Sequence, residues 1–143
     1  MSRHRQHSAF LVAVIGPTDI EVTSRAAGLD PALCLETAER AGAELARRGY
    51  AVVLVPDRGV ALMAAEAYRK ACGPHLVGIM PRGGTSTQQA TSCCEDHRWL
   101  CDQVVDGLTW AEQHERICQL SHAMLCIGMS CGTMAEVAWT KWT

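Results

Sequence analysis

Short apolar runs alternating with segments of helical periodicity constrain the fold of this chain more than any other feature. The first run, Ala9–Ile15, is continuous and stops at Gly16-Pro17, as a strand buried on both faces does. Further strands are predicted at Ala51–Val55, Leu76–Met80, Gln103–Val105 and Ala123–Ile127. Helices are predicted from Asp30-Pro31 to Gly49, over Val60–Cys72 and Trp110–Leu120, and from Thr133 onward. This alternation predicts an α/β, Rossmann-like three-layer domain with a mostly parallel sheet of about five strands.

Length and composition favour one domain, residues 1–143, with residues 1–8 as a disordered tail. Apolar residues make up 48% and charged residues 20%, as in soluble globular proteins. The net charge of −2 gives no reason to expect nucleic acid as a partner, and no apolar run is long enough to span a bilayer. The sequence ends at Thr143 inside a helical pattern with no strand after it. We therefore expect either a smaller sheet than usual or a chain truncated at its C-terminus.

The eight cysteines pose a choice between disulfides, a metal site and free thiols. Four of them lie inside periodic apolar segments: Cys34, Cys72, Cys118 and Cys126. Cysteine behaves there as a small hydrophobic residue, so we expect reduced thiols and a cytoplasmic location. Cys93, Cys94, His97 and Cys101 have the donor types of a tetrahedral zinc site. Adjacent cysteines rarely bind one ion, and no Cys-x-x-Cys pair supports the cluster, so we expect no metal.

Ligands of open parallel sheets bind outside the carboxyl ends of the strands. In this sequence those ends are Gly16–Ile20, Pro56–Gly59, Pro81–Thr87 and Gly128–Thr133. Pro81–Leu100 has no periodic apolar pattern, which predicts a long loop. The helix that starts at Gly132-Thr133 can offer backbone N–H groups and a hydroxyl to an anion, because its dipole favours negative charge.

Three segments, residues 13–16, 45–81 and 121–136, resemble in their order and spacing the LOG-like superfamily, also labelled lysine-decarboxylase-like. That superfamily contains cytokinin-activating phosphoribohydrolases and molybdenum-cofactor carrier proteins. The carrier branch is the more similar one, since it too is short. The resemblance covers the chain from about residue 9 onward and implies a Rossmann-like fold and a homodimer. A cluster of Val137, Trp139 and Trp142 on the terminal helix also favours a dimer contact.

The family motif Pro-Gly-Gly-x-Gly-Thr-x-x-Glu is only partly present. Residues 128–136 keep Gly132, Thr133 and Glu136, whereas Gly128 replaces the proline and Ser130 one of the glycines. A second family loop, usually rich in glycine, corresponds to residues 56–59, where most glycines are lost. Glycines in such loops let backbone N–H groups approach a phosphate. The candidate ligand-binding residues are Gly16, Pro17, Thr18, Arg58, Gly59, Arg82, Ser130, Gly132 and Thr133, with Arg58 and Arg82 as compensating charges.

The resemblance also suggests catalytic residues. In the resembled hydrolases, the motif glutamate and an arginine on the preceding helix act on an N-glycosidic bond. Glu136 matches the glutamate, and Arg116 is the only arginine on that helix, at a spacing that fits the family poorly.

Three functions therefore stay open. The chain is a carrier that binds a phosphorylated small molecule, either a nucleotide or a molybdenum-cofactor-like pterin. Alternatively, it is a phosphoribohydrolase that cleaves nucleoside 5′-monophosphates, or a degenerate domain that serves protein association. The lost glycines favour the first and third over the second, and the retained Gly132-Thr133 favours the first over the third.

Overall fold

The computed structural model describes residues 10–82 and 92–142. The expected tail at residues 1–8 lies outside the described residues, as does part of the expected loop, residues 83–91. The strands are β1 (Leu11–Ile15), β2 (Ala51–Leu54), β3 (Leu76–Ile79), β4 (Gln103–Val105) and β5 (Ala123–Cys126). The α-helices are α1 (Ile20–Ala26), α2 (Pro31–Arg47), α3 (Gly59–Lys70), α4 (Trp110–Leu120) and α5 (Cys131–Trp139). A 3₁₀ helix covers Cys94–Leu100.

The described strands form one parallel sheet in the order β4-β3-β2-β1-β5. The chain runs from β1 towards one edge of the sheet and then returns to place β5 on the other side of β1. The strand order therefore reverses between β1 and β5, which is where ligands bind in folds of this class. Within the described residues, β5 is an edge strand with exposed residues, whereas β2 and β3 are buried along their length.

Two apolar cores, one on each face of the sheet, give the domain three layers. Alternate side chains of a strand point to opposite faces. Val14 accordingly packs with residues of α2 and α3, and Ala13 with residues of α4 such as Ile117. The prediction of an α/β, Rossmann-like domain with a parallel sheet of about five strands is confirmed.

Helix starts follow the capping residues of the sequence. The Asp30 carboxylate accepts the Ala32 N–H at 2.9 Å, and Pro31 occupies the first turn of α2, where its missing N–H costs nothing. Thr109 and Glu112 form a reciprocal capping box at the start of α4. The helix predicted from Thr133 begins slightly earlier, at Cys131, because Ser130 is its N-cap.

Two elements of the structure were not predicted from the sequence. The segment Ile20–Ala26 was not predicted to be helical, yet it forms α1, whose Asp19 cap accepts the Val22 N–H at 3.0 Å. Seven residues with an exposed Val22 carry too little apolar periodicity to reveal a helix. The predicted loop Pro81–Leu100 contains the 3₁₀ helix, whose three-residue turn lacks the period of an amphipathic α-helix.

Among the described residues, no helix has both the length and the apolar character needed to cross a membrane.

Candidate ligand-binding site

A cavity of about 110 Å³ lies at the carboxyl edge of the sheet, where β1, β2 and β5 end. Six of the residues predicted from the sequence line it: Gly16, Thr18, Ser130, Gly132, Thr133 and Glu136. The strand reversal beside β1 thus brings together residues that are more than 100 positions apart in the sequence. Pockets that enclose a drug-sized ligand usually measure about 300–1,000 Å³, so this cavity holds only part of such a molecule.

The N-terminus of α5 forms one wall of the cavity. The Ser130 hydroxyl lies 2.9 Å from the Thr133 hydroxyl and accepts the Thr133 N–H at 3.3 Å. Thr133 is only 1% exposed. The N–H groups of Cys131 and Gly132 lie in the first turn, where the helix itself offers no acceptor. These amides, together with the helix dipole, make this wall the most favourable place in the cavity for a negatively charged group.

Glu136, one turn further along α5, is paired with a histidine. Its Oε1 atom lies 3.6 Å from Nδ1 of His114 on α4, and both side chains are mostly buried. The Glu136 carbonyl oxygen also accepts the Cys118 thiol at 3.2 Å. Burial, followed by the negative charge of Glu136, raises the pKa of Cys118. A carboxylate and an imidazole in one cavity have the chemistry of an acid/base pair.

A second carboxylate in the cavity wall belongs to Asp57, which follows β2 in the chain. It is 3% exposed, and its Oδ1 atom accepts the Cys93 N–H at 2.7 Å. Arg58 has its Nε atom 3.8 Å from Asp57 Oδ2, but about half of its side chain is exposed to solvent. Among the described residues that line the cavity, none is an arginine or a lysine. An anion in the cavity would therefore depend on the α5 amides and on His114 for its stabilisation.

The other predicted arginines lie outside the cavity lining. Arg82 forms ion pairs with Glu95 at 2.9 Å and with Asp106 at 3.0 Å. Arg116 donates to the Gln119 side chain at 3.3 Å on the outer side of α4. The structure therefore does not bring Arg116 and Glu136 together as cavity-lining residues, and the imidazole of His114 is the partner that Glu136 has instead.

Pro17 and Gly59 lie next to the cavity, where the loops after β1 and β2 meet. The Pro17 carbonyl accepts the Val60 N–H at 3.1 Å. Gly59 has a φ of +62°, and a Cβ atom there would lie 2.7 Å from the Thr18 carbonyl oxygen. These two residues hold the loop that carries Thr18 in place.

The cysteine and histidine cluster that suggested zinc has a different structural role. His97 donates its ring Nδ1–H to the Pro56 carbonyl at 2.8 Å, which ties the 3₁₀ helix to the end of β2. Burial raises the pKa of Cys94 to about 12 and that of Cys101 to about 11. Thiols with these pKa values are protonated at neutral pH in the metal-free protein. No group of three or more candidate donors among the described residues could hold a metal ion. All eight cysteines are thiols rather than halves of disulfides.

The sequence interpretation missed three cavity residues on α4, namely Trp110, Gln113 and His114. The His114 side chain is 21% exposed and faces Glu136. These residues and Ile117 have the spacing of one helical face. That spacing was the available signal, but it does not distinguish a cavity wall from ordinary packing.

Comparisons with known proteins agree with this fold. The family model described as the SLOG cluster4 family matches residues 9–141. Comparison with curated proteins finds no match.

Among solved structures, the chain is similar to the molybdenum cofactor binding protein of the phototrophic bacterium Rippkaea orientalis. That pair has a TM-score of 0.64 and 24% identity, over 92% of this chain and 69% of the other. The molybdenum cofactor carrier protein of Chlamydomonas reinhardtii has a TM-score of 0.67 and 22% identity, over 94% and 71%. The protein TM1055 has a TM-score of 0.62 and 23% identity, over 91% and 67%. At these identities the likeness shows the fold alone.

Proposed function

The chain belongs to the SLOG cluster4 family, and we propose that it is a cytoplasmic carrier that binds a phosphorylated small molecule in the cavity at the carboxyl ends of β1, β2 and β5. The ligand is a nucleotide or a molybdenum-cofactor-like pterin, and its phosphate lies against the N-terminus of α5. The observation that carries this proposal is the convergence of Gly16, Ser130, Gly132 and Thr133 on one cavity at the reversal of strand order.

Two similar structures are of proteins described as binding or carrying the molybdenum cofactor. This likeness supports a ligand of that class. With about 110 Å³, the cavity encloses only the parts of such a ligand that contact its walls, and the remainder lies over its mouth. An open site of this kind suits a molecule that has to be handed on.

A second candidate function is hydrolysis of the N-glycosidic bond of a nucleoside monophosphate. The specific observation in its favour is the pair formed by Glu136 and His114 inside the cavity. Against it stands the absence of arginine and lysine from the described cavity lining, since a phosphate must be held firmly for this reaction.

The proposed phosphate site predicts that Thr133→Val weakens ligand binding by about 1–3 kcal/mol, the usual cost of leaving a buried polar group unpaired. A thermal-shift screen against nucleotides and pterins first identifies a ligand, because binding to the folded state raises the melting temperature. Titration calorimetry then measures the affinity of the parent and the variant for that ligand. Thr37→Val, which removes a hydroxyl on α2 far along the chain from the site, is the control and should bind like the parent. Equal affinities for the parent and the two variants would contradict the placement of the ligand phosphate at the N-terminus of α5. If the screen identifies no ligand, the result would favour the third function, a degenerate domain that serves protein association.

We also propose that the chain is a homodimer. On and after α5, Val137 is 40% exposed, Trp139 is 36% exposed and Trp142 is 73% exposed. An exposed group of large apolar side chains favours association. Light scattering at micromolar concentration should give the mass of two chains, and Trp142→Ser should shift the equilibrium towards the monomer. A parent protein with the mass of one chain throughout would contradict the dimer.

A further inference from the structure

Two buried polar atoms of residues that line the cavity lack a hydrogen-bond partner among the described residues. They are Nε1 of Trp110, a donor, and Oε1 of Gln113, an acceptor. Both residues line the cavity, and Gln113 is only 2% exposed. Buried polar side-chain atoms are nearly always paired in folded proteins. An unpaired donor and an unpaired acceptor on residues of one cavity wall therefore need partners, which a molecule bound in the cavity can supply.

Rotating the Gln113 amide does not remove the unpaired atom. Its Nε2 atom lies 2.6 Å from Nδ1 of His114 and donates to it when that nitrogen carries no proton. If Nδ1 is protonated, the amide turns so that Oε1 accepts from His114. In that case Nε2 becomes the atom without a partner. The buried amide keeps one unsatisfied end in either state, and that end has no net charge.

While Nδ1 of His114 carries no proton, a phosphate cannot complete this pair. It could accept from Trp110 Nε1–H, but a fully ionised phosphate has no proton to donate to Gln113 Oε1. A neutral group that carries an acceptor beside a donor satisfies both atoms at once. Amides, nucleobases and the oxo-bearing ring of a pterin have such an edge.

We propose that Trp110 and Gln113 form the subsite for the uncharged heterocyclic edge of the ligand and determine which ligand is selected. This inference deepens the proposed function and rests on it. Each of the two helices then binds a different part of the ligand. The first turn of α5 binds the anionic end, and the inner face of α4 recognises the heterocycle. Recognition of this kind discriminates strongly, because an analogue without the edge leaves buried atoms unpaired.

The test uses three probes that separate the two ends of the ligand. Guanosine has the heterocyclic edge without phosphate, ribose 5-phosphate has the phosphate without the base, and guanosine monophosphate has both. Calorimetry measures their Kd values for the parent, for Trp110→Phe and for Gln113→Leu. Trp99→Phe on the exposed 3₁₀ helix and Gln119→Leu on the outer side of α4 are the matched controls. Thermal melting shows whether each variant is folded. If Gln113→Leu is not folded, the test relies on Trp110→Phe alone.

We expect Trp110→Phe and Gln113→Leu to raise the Kd of guanosine and guanosine monophosphate about ten-fold. The Kd of ribose 5-phosphate for both variants should stay within about two-fold of its value for the parent. That probe has no heterocyclic edge, so the substitutions remove none of its hydrogen bonds. The controls should bind all three probes like the parent.

Equal guanosine affinity in the parent and both variants overturns the subsite. Binding of ribose 5-phosphate without binding of guanosine also overturns it and leaves the phosphate site standing. The reverse pattern, in which guanosine binds and is sensitive to both substitutions while ribose 5-phosphate does not bind, supports the subsite and overturns the phosphate proposal. Failure of all three probes to bind overturns both.

Discussion

Replacing Gly59 with alanine should lower the free energy of unfolding by about 2–5 kcal/mol, because two penalties add at this position. With a φ of +62°, the backbone is in the left-handed region, which costs a non-glycine residue about 1–2 kcal/mol. The new Cβ atom would also lie 2.7 Å from the Thr18 carbonyl oxygen and would collide with that of Pro17. Overpacking of this kind adds about 1–3 kcal/mol, and backbone atoms cannot move aside as a flexible side chain does.

Gly49→Ala is the control that separates the two penalties. Gly49 has a φ of +73°, but a Cβ atom added there would meet no atom within 4 Å beyond the adjacent residues. Only the backbone penalty applies there, so a loss of about 1–2 kcal/mol is expected. Urea unfolding of the parent and both variants measures the difference. Equal losses for the two variants would mean that the close contact between the loops after β1 and β2 does not exist. Since this contact positions Thr18 in the cavity, Gly59→Ala should also weaken ligand binding.

The second large effect concerns turnover. We expect the protein to release adenine from AMP at least about a hundred-fold more slowly than an ordinary phosphoribohydrolase, since small misplacement of a substrate costs that much in rate. Ser130 replaces a motif glycine and caps α5 with its own side chain. Asp57 adds a buried carboxylate to the same cavity, and Arg58, which is 3.8 Å from it, is about half exposed to solvent and does not line the cavity. A phosphate is therefore poorly fixed relative to Glu136.

The assay compares release of free base by the parent with that by Glu136→Gln. This variant keeps the size of the side chain and removes its charge. Glu115→Gln on the exposed side of α4 is the matched control for loss of one carboxylate. Turnover by the parent and the control at an ordinary enzymatic rate, together with loss of turnover in Glu136→Gln, would replace the carrier by the phosphoribohydrolase. In that case His114, 3.6 Å from Glu136, is the partner to be replaced next.

The sequence by itself determined the architecture and one wall of the site. Apolar runs such as Leu11–Ile15 and Ala51–Leu54 have no polar face, so they can only be inner strands of a sheet covered on both sides. Local capping chemistry placed the starts of α2 and α4, because an N-cap acts within three or four residues. Gly132-Thr133 was identified because it matches the family motif and starts a helix at the carboxyl end of a strand.

Only the tertiary structure decided what α4 contributes. Helical periodicity shows that Trp110, Gln113 and His114 share a face, but not whether that face meets a core, a partner or a cavity. The answer depends on where β5 lies in the sheet, and β5 pairs with β1 rather than with its neighbour in sequence, β4. The same placement turns Arg116 outward. Side-chain pairing between helices, such as that of His114 with Glu136, arises from contacts distant in sequence, which no local pattern contains.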